Sequence, residues 1–260
     1  MELTLEDVKR GAKREDFRAG VQMRLLMPRL SVHITRWVLL HMPQLRPNHI
    51  TVVSLIVGVL AAAAFASINP LLVAVGLLAF HLHVLLDYVD GEVARCRGET
   101  SVAGAYLDLM TDRLTFPLFI FCAGLGAWRQ LGDPEILIVG FVATFGLFLD
   151  KEAVDAWYRA NTGATEVEDR YVAAPTRSAA GRWRGRLAIF AVMVRGLTAF
   201  LTYTAVAAAL DASALLPAPI GDSWRALVLA GFAVLMPLGA LIRFVYTYRR
   251  GEIPRRQQLL

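Results

Sequence analysis

The chain has 260 residues, of which 56% are hydrophobic and only 19% are charged, and its mean hydropathy is +0.49. A water-soluble globule of this size is rarely so apolar, so the composition favours a single integral-membrane domain. The net charge of +5 arises from 27 basic and 22 acidic residues. A cytoplasmic surface that faces anionic headgroups explains this excess, so no nucleic-acid partner is expected.

The first 49 residues are predicted to form a cytoplasmic N-terminus with one amphipathic helix. No apolar run typical of a cleaved signal peptide opens the sequence, so the first spanning segments are expected to direct insertion. In residues 17–42, "FRAGVQMRLLMPRLSVHITRWVLLHM", arginines interrupt an apolar pattern at roughly helical spacing. This pattern predicts a helix lying in the membrane interface. A soluble helix packed on the cytoplasmic side is the alternative.

Six stretches are apolar over the roughly 20 residues that a helix needs to span a bilayer. They are residues 50–68, 71–94, 103–128, 135–157, 187–210 and 224–247. The expected fold class is therefore all-α, a six-transmembrane-helix bundle with an N-terminal amphipathic interfacial helix. We expect the membrane domain to cover residues 50–248 and a cytoplasmic tail to follow at 249–260.

The orientation is predicted from the arginines and lysines in the loops. The connection "RCRGET", the segment 159–186 and both termini are basic, whereas the loops at the other end contribute only Arg129 and Arg225. Both termini and residues 86–112 are therefore expected on the cytoplasmic side of the cell inner or plasma membrane.

Four aspartates lie in the second and third predicted spans, where charged groups are usually paired, metal-bound or hydrated. On an α-helix, Asp87 and Asp90 lie about 60° apart, and Asp108 and Asp112 share a stripe on the next helix. Glu92 points about 140° away from Asp87 and is excluded from the site. The short connection "RCRGETSVA" makes the two helices antiparallel neighbours, so the two aspartate pairs are expected to face each other.

Four carboxylates close together repel one another unless protons or cations intervene. Oxygen ligands alone favour hard ions such as Mg²⁺, Mn²⁺ or Ca²⁺, and Mg²⁺ commonly binds phosphates as well. Gly91, Ala94 and Gly104 leave room on the aspartate faces, either for a ligand groove or for close helix packing. Arg95 either neutralises a phosphate or pairs with an aspartate.

Other polar side chains near the aspartates have simpler expected roles. Arg97 and Arg113 are expected to extend to the membrane surface. His81 and His83 are expected to pack between helices or lie at the interface. Because no Ser-His or Cys-His grouping lies near the aspartates, a covalent nucleophilic route is disfavoured.

The pattern Asp87-x2-Asp90-Gly91-x2-Ala94-Arg95-x8-Gly104-x3-Asp108-x3-Asp112 resembles the signature of the CDP-alcohol phosphotransferase family at all eight specified positions. Pro47-Asn48-x2-Thr51 also resembles a segment that many members carry before their first spanning helix. The resemblance covers residues 47–112 and extends to the six-helix layout. It implies a metal-dependent enzyme that transfers an alcohol-phosphate group from a CDP-alcohol to an acceptor hydroxyl and releases CMP.

The resemblance also implies roles for individual residues. The metal ligands, for one or two Mg²⁺ or Mn²⁺ ions, would be Asp87, Asp90, Asp108 and Asp112. Asp112 would in addition be the catalytic general base. The nucleotide site would comprise Asp90, Gly91, Ala94, Arg95 and Gly104, with Asn48 and Thr51 nearby. The expected donor is CDP-diacylglycerol, a membrane lipid that would enter the site laterally from the bilayer. The family resemblance also favours a homodimer.

A second polar cluster is a candidate for binding the acceptor. Lys151 and Arg159 lie near the end of the fourth predicted span, and Arg195 lies inside the apolar fifth stretch. Relatives that use a phosphorylated acceptor such as inositol phosphate bind its phosphate with Lys and Arg of later helices, so we expect the same here. Alternatively, Lys151 pairs with Asp155, Arg159 reaches the membrane surface and Arg195 pairs with an acid of the core site.

Two other classes of membrane protein use intramembrane acids. An aspartate-rich prenyltransferase would carry its acidic motifs on helices far apart in sequence, whereas here all four lie within residues 87–112. An ion-coupled transporter would be expected to have broken helices or an inverted repeat, and the sequence indicates neither. The enzyme interpretation is therefore favoured, although the sequence does not identify the two alcohols.

Overall fold

The computed structural model describes residues 4–12, 21–162, 197–213, 215 and 223–251. These residues form eight helices and contain no strand. The helices are α1 (Leu5–Gly11), α2 (Val21–His41), α3 (Pro47–Phe65), α4 (Pro70–Arg97), α5 (Val102–Leu131), α6 (Glu135–Thr162), α7 (Leu197–Ser213) and α8 (Trp224–Gly251). The all-α expectation is confirmed for the described residues.

The hairpin of α4 and α5 has clear start and stop signals in its sequence. Asn69 caps α4 by accepting a hydrogen bond from the Leu71 amide at 2.9 Å. The helix ends at Gly98, whose φ of 68° is the left-handed conformation that glycine adopts without strain. Ser101 then caps α5 by accepting from the Gly104 amide at 3.0 Å. The tight connection lets α4 and α5 both pack against α3.

Four of the described helices are long and apolar enough to cross a membrane, which indicates an integral membrane protein. They comprise Pro47–Phe65, Pro70–Arg97, Val102–Leu131 and Trp224–Ile242. The apolar run of α6, residues 136–149, ends at Asp150, and α7 is a shorter apolar helix of 17 residues. The fifth predicted stretch, 187–210, begins outside the described residues. The count of six spans therefore stays a prediction.

The predicted interfacial helix corresponds to α2, which packs against α4. Its buried face includes Ser31 and Thr35, both 0% exposed, together with Val38. Trp37 and Leu40 are exposed on the other side. Location of α2 in the membrane interface is not tested by these contacts and remains a prediction.

Small residues let the helices approach closely at several points. A Cβ atom on Gly124 of α5 would lie 3.2 Å from the Cα of Gly140 on α6. A Cβ on Gly146 of α6 would lie 2.5 Å from the Cδ atom of Pro237 on α8. These two contacts join α6 to its neighbours on both sides.

The end of the bundle opposite the aspartates is held by polar side chains that bond to the backbone. Arg129 and Arg225 donate to the carbonyls of Ala66 and Ser67, at 3.0 Å and 2.6 Å, just beyond the end of α3. Asp211 of α7 accepts from the amide of Trp224 at 2.6 Å and so caps α8. Both arginines that were counted as loop charges in the sequence therefore bond to the protein backbone.

Candidate metal centre and active site

The structure brings three of the four predicted metal-binding aspartates together. Asp87 and Asp90 extend from α4 and Asp108 from α5, and one carboxylate oxygen from each lies within 4.8 Å of the others. Asp90 is only 5% exposed. The Oδ1 atom of Asp87 is buried and has no hydrogen-bond partner among the described residues. This group therefore has a carboxylate oxygen that the described residues leave without a hydrogen bond.

The donor set fits a hard divalent cation. Three carboxylates at this separation repel one another, and a divalent cation between them would remove the repulsion. All the ligand atoms are oxygens, the type preferred by Mg²⁺, Mn²⁺ and Ca²⁺. The residues present are thus able to hold such an ion.

Thr51 of α3 contacts this group directly. Its hydroxyl donates to Oδ2 of Asp90 at 2.6 Å, and the side chain is 4% exposed. Sequence analysis assigned Thr51 to the neighbourhood of the nucleotide. The observed contact orients a carboxylate of the aspartate group, which is a common arrangement around metal ligands. A place for Thr51 near the nucleotide stays a prediction.

Asp112 lies one helical turn beyond Asp108 on α5 and is partly buried. It is not one of the three carboxylates that cluster most closely.

The first turns of α3 and α5 meet, because a Cβ on Gly104 would lie 3.1 Å from Oδ1 of Asn48. Asn48 itself is exposed. Two residues expected to lie near the nucleotide are therefore adjacent in the structure.

Gly91, Ala94 and Arg95 follow Asp90 on α4 and are partly buried. The Nε atom of Arg95 donates to the carbonyl of Ala12, at 3.1 Å, and the side chain lines a cavity of about 570 Å³ between α1, α2 and α4. The described contact of Arg95 is therefore with the N-terminal region. Nucleotide binding by these three residues stays a prediction.

Glu92 lies outside the aspartate group, in agreement with its calculated direction on the helix. Its two carboxylate oxygens accept from Ser31 and Thr35 of α2, both at 2.6 Å, and it is 4% exposed. Sequence reasoning missed these two donors, because Ser31 and Glu92 are 61 residues apart and no local pattern connects them.

Two arginines expected to extend to the membrane surface bond within the protein. Arg97 donates to the carbonyl of Leu45 at 2.6 Å and so braces the connection between α2 and α3. Arg113 of α5 forms an ion pair with Glu152 of α6 at 2.7 Å. Each arginine therefore has an acceptor within the protein, and extension of the two side chains to the membrane surface stays a prediction.

The predicted acceptor residues are described only in part. The Lys151 ammonium lies 4.5 Å from the centre of the Phe116 ring, and Phe116 is one turn beyond Asp112 on α5. Arg159 belongs to α6, but its side chain lies outside the described residues, as does the whole of Arg195. The structure thus brings Lys151 to the helix that carries Asp112 and does not test the other two.

Curated relatives match part of the chain. A protein of Thermococcus kodakarensis named bifunctional IPC transferase and DIPP synthase is 31% identical over 150 residues, which are 55% of this chain and 32% of that protein. An archaetidylinositol phosphate synthase of Aeropyrum pernix is 37% identical over 82 residues, 30% of this chain and 41% of that protein. One from Pyrococcus horikoshii is 33% identical over 94 residues, 36% of this chain and 48% of that protein.

These matches span less than half the length of each relative. A model of the CDP-alcohol phosphatidyltransferase family matches a much larger part of the chain, residues 44–248, including all the aspartates above. The chain belongs to the CDP-alcohol phosphatidyltransferase family, a family of transferases.

Proposed function

We propose that this protein is a metal-dependent membrane enzyme of phospholipid biosynthesis. It transfers the alcohol-phosphate group of a CDP-alcohol, such as the phosphatidyl group of CDP-diacylglycerol, to an acceptor hydroxyl and releases CMP. The observation that carries the proposal is the group of Asp87, Asp90 and Asp108, found at the signature positions in a member of a family of transferases.

In this proposal, Mg²⁺ or Mn²⁺ is held by Asp87, Asp90 and Asp108, with Asp112 close by. A bound ion would neutralise the pyrophosphate and stabilise the charge that develops on the departing CMP. Asp112 takes the proton from the acceptor hydroxyl as its oxygen attacks the phosphorus that carries the lipid alcohol. The bond between that phosphorus and the oxygen of CMP breaks, and CMP leaves as an anion.

The nucleotide lies, in this proposal, where α3 and α5 begin. Asn48 and Gly104 are adjacent there, and the missing side chain of Gly104 lets the Asn48 side chain approach α5 closely. Gly91, Ala94 and Arg95 on α4 complete the site. Thr51 serves it indirectly, since its hydroxyl holds Asp90.

The acceptor is proposed to be a phosphorylated polyol such as inositol phosphate. Two relatives are named archaetidylinositol phosphate synthases, which supports this class of acceptor. Lys151 lies beside Phe116, one turn from Asp112, where its charge suits a phosphate on the acceptor. Arg159 and Arg195 are proposed to complete the pocket.

The proposed membrane arrangement follows the sequence. Six helices span the bilayer within residues 50–248, and α2 lies in the interface as part of the N-terminal region 1–49. Both termini, including the tail 249–260, and the aspartate group face the cytoplasm. The protein works as a homodimer, and its lipid donor enters from the bilayer.

The test is CMP release by the purified protein with Mg²⁺ or Mn²⁺. The donors are CDP-diacylglycerol and its archaeol counterpart, and the acceptors are inositol 1-phosphate, inositol, glycerol 3-phosphate and serine. Asp112→Asn is expected to lower the rate by about 10²–10⁴-fold, as is typical for loss of a general base. Asp133→Asn, in the turn after α5, is the matched control. A wild-type protein that releases no CMP with any donor would contradict the proposal and favour a transporter.

A further inference from the structure

A buried polar layer lies one helical turn below the aspartates, towards the apolar core. It consists of Ser54 on α3, His83 on α4 and Thr115 on α5, which are 0%, 1% and 0% exposed. From the sequence, His83 is expected to pack between helices or to lie at the interface. Its hydrogen bonds point to a more specific role.

His83 bonds to both neighbouring helices. Its Nδ1 atom lies 2.8 Å from the hydroxyl oxygen and 2.9 Å from the carbonyl oxygen of Ser54. Because a carbonyl only accepts, a proton on Nδ1 would satisfy it. The Ser54 hydroxyl donates to the backbone carbonyl of His83 at 2.9 Å. On the other side of the ring, Nε2 lies 3.3 Å from Oγ1 of Thr115. It accepts from that hydroxyl when the hydroxyl turns away from the Thr111 carbonyl, to which it otherwise donates at 2.9 Å. One imidazole ring thus connects α3, α4 and α5.

Each member of this layer is about one turn from a residue of the metal centre on the same helix. Ser54 follows Thr51 by three residues, and His83 precedes Asp87 by four. Thr115 follows Asp112 by three residues. Since one turn rises about 5.4 Å, the three bonded residues form one level and the candidate site forms the next. A shift of any helix along its axis would move both levels together.

The surroundings make these hydrogen bonds hard to replace. The His83 ring packs near the rings of Phe116 and Phe119, with both centroids 6.4 Å away. In such an apolar environment a polar group without a partner is costly, so the bonds strongly favour one register. Gly58 permits the close approach, because a Cβ there would lie 3.0 Å from Nδ1 of His83 and 2.9 Å from Cγ2 of Thr115.

We propose that His83, bonded to Ser54 and Thr115, is a positioning residue for the metal centre. It holds three helices in the register that brings Asp87, Asp90 and Asp108 together. This inference rests on the proposed function, because it takes the aspartates as metal ligands. His81 provides a natural contrast, since its Nδ1 bonds the Leu77 carbonyl of its own helix at 2.7 Å.

The test measures Mn²⁺ binding to the full-length protein in detergent, without substrate. The electron paramagnetic resonance signal of free Mn²⁺ gives the Kd, at a temperature well below unfolding. His83→Phe keeps an aromatic ring but removes the bonds, and it is expected to weaken Mn²⁺ binding by about tenfold, as for other groups that orient metal ligands. His83→Asn is expected to weaken binding less, because its amide nitrogen can still donate to the Ser54 carbonyl.

His81→Phe is the matched control, and Asp108→Asn is the reference for loss of a ligand. Unchanged Mn²⁺ affinity in His83→Phe would overturn the inference, and so would an equal loss in His81→Phe. If His83→Phe fails to fold, Thr115→Val replaces it, with a weaker Mn²⁺ affinity expected and an unchanged affinity contradicting the role. A wild-type protein that binds no Mn²⁺, or binds it as tightly after Asp108→Asn, would overturn the metal centre itself and the inference with it.

Discussion

The contact between Thr51 and Asp90 distinguishes two roles for Thr51. If the hydroxyl serves to hold a carboxylate of the metal centre, its removal should weaken metal binding. If it contacts the nucleotide, its removal should instead weaken binding of CMP and of the CDP-alcohol. The variant Thr51→Val removes the hydroxyl, which donates at 2.6 Å, and keeps nearly the same side-chain volume. Thr51→Ser restores the donor.

The expected magnitude follows from the charge of the acceptor. A hydrogen bond to a charged group contributes about 1.5–3 kcal/mol, and every 1.4 kcal/mol is about a factor of ten. Loss of a group that orients a metal ligand typically weakens metal binding by about 10–100-fold. Because Asp90 is one of three close carboxylates, which would share a bound ion, we expect about a tenfold loss.

The assay is a titration of Mn²⁺ into the purified protein, with the affinity for CMP measured separately at saturating metal. Thr51→Val should raise the Kd for Mn²⁺, and Thr51→Ser should recover most of the affinity. The control is Thr144→Val, because Thr144 donates within its own helix, to the Gly140 carbonyl. Unchanged Mn²⁺ affinity in Thr51→Val, together with weaker CMP binding, would refute the reasoning.

Two further predictions concern stability. Gly146→Ala should lower the free energy of unfolding by about 1–3 kcal/mol through overpacking, because its new Cβ would lie 2.5 Å from Pro237. The control in a thermal unfolding assay is Gly231→Ala, where a Cβ meets nothing within 4 Å. Equal Tm values for the two variants would contradict the close contact. Glu92→Ala leaves two buried hydroxyls without their acceptor and should lower the stability by about 1–3 kcal/mol. The Mn²⁺ affinity of Glu92→Ala should stay unchanged. A large loss of that affinity would indicate that Glu92 belongs to the metal centre.

The grouping of the aspartates was predictable because it depends on local rules. Helical periodicity puts Asp87 and Asp90 on one face and Glu92 on another, and the capped turn between α4 and α5 brings in Asp108. These features are set by residues within a short segment. The close group of Asp87, Asp90 and Asp108 and the separate position of Glu92 agree with that expectation, while Asp112 is not among the three closest carboxylates.

The contacts between distant helices were not predictable from the sequence. The bond between Thr51 and Asp90 joins residues that are 39 positions apart, and that between Arg225 and Ser67 joins residues 158 apart. A threonine or an arginine in these segments has many possible partners, and only the packing of the helices selects one. The same reasoning explains why His81 and His83 are alike in sequence yet differ in their contacts.

The central claim is that a metal ion bound by the aspartates is required for CMP release. The most direct measurement is the rate of CMP release from a CDP-lipid, with inositol 1-phosphate as acceptor, as the divalent ion is removed by a chelator and then restored. We predict that release stops without metal, returns with Mg²⁺ or Mn²⁺, and is lost in Asp87→Asn at ordinary metal concentrations. Metal-independent release, or full activity in Asp87→Asn, would contradict the claim.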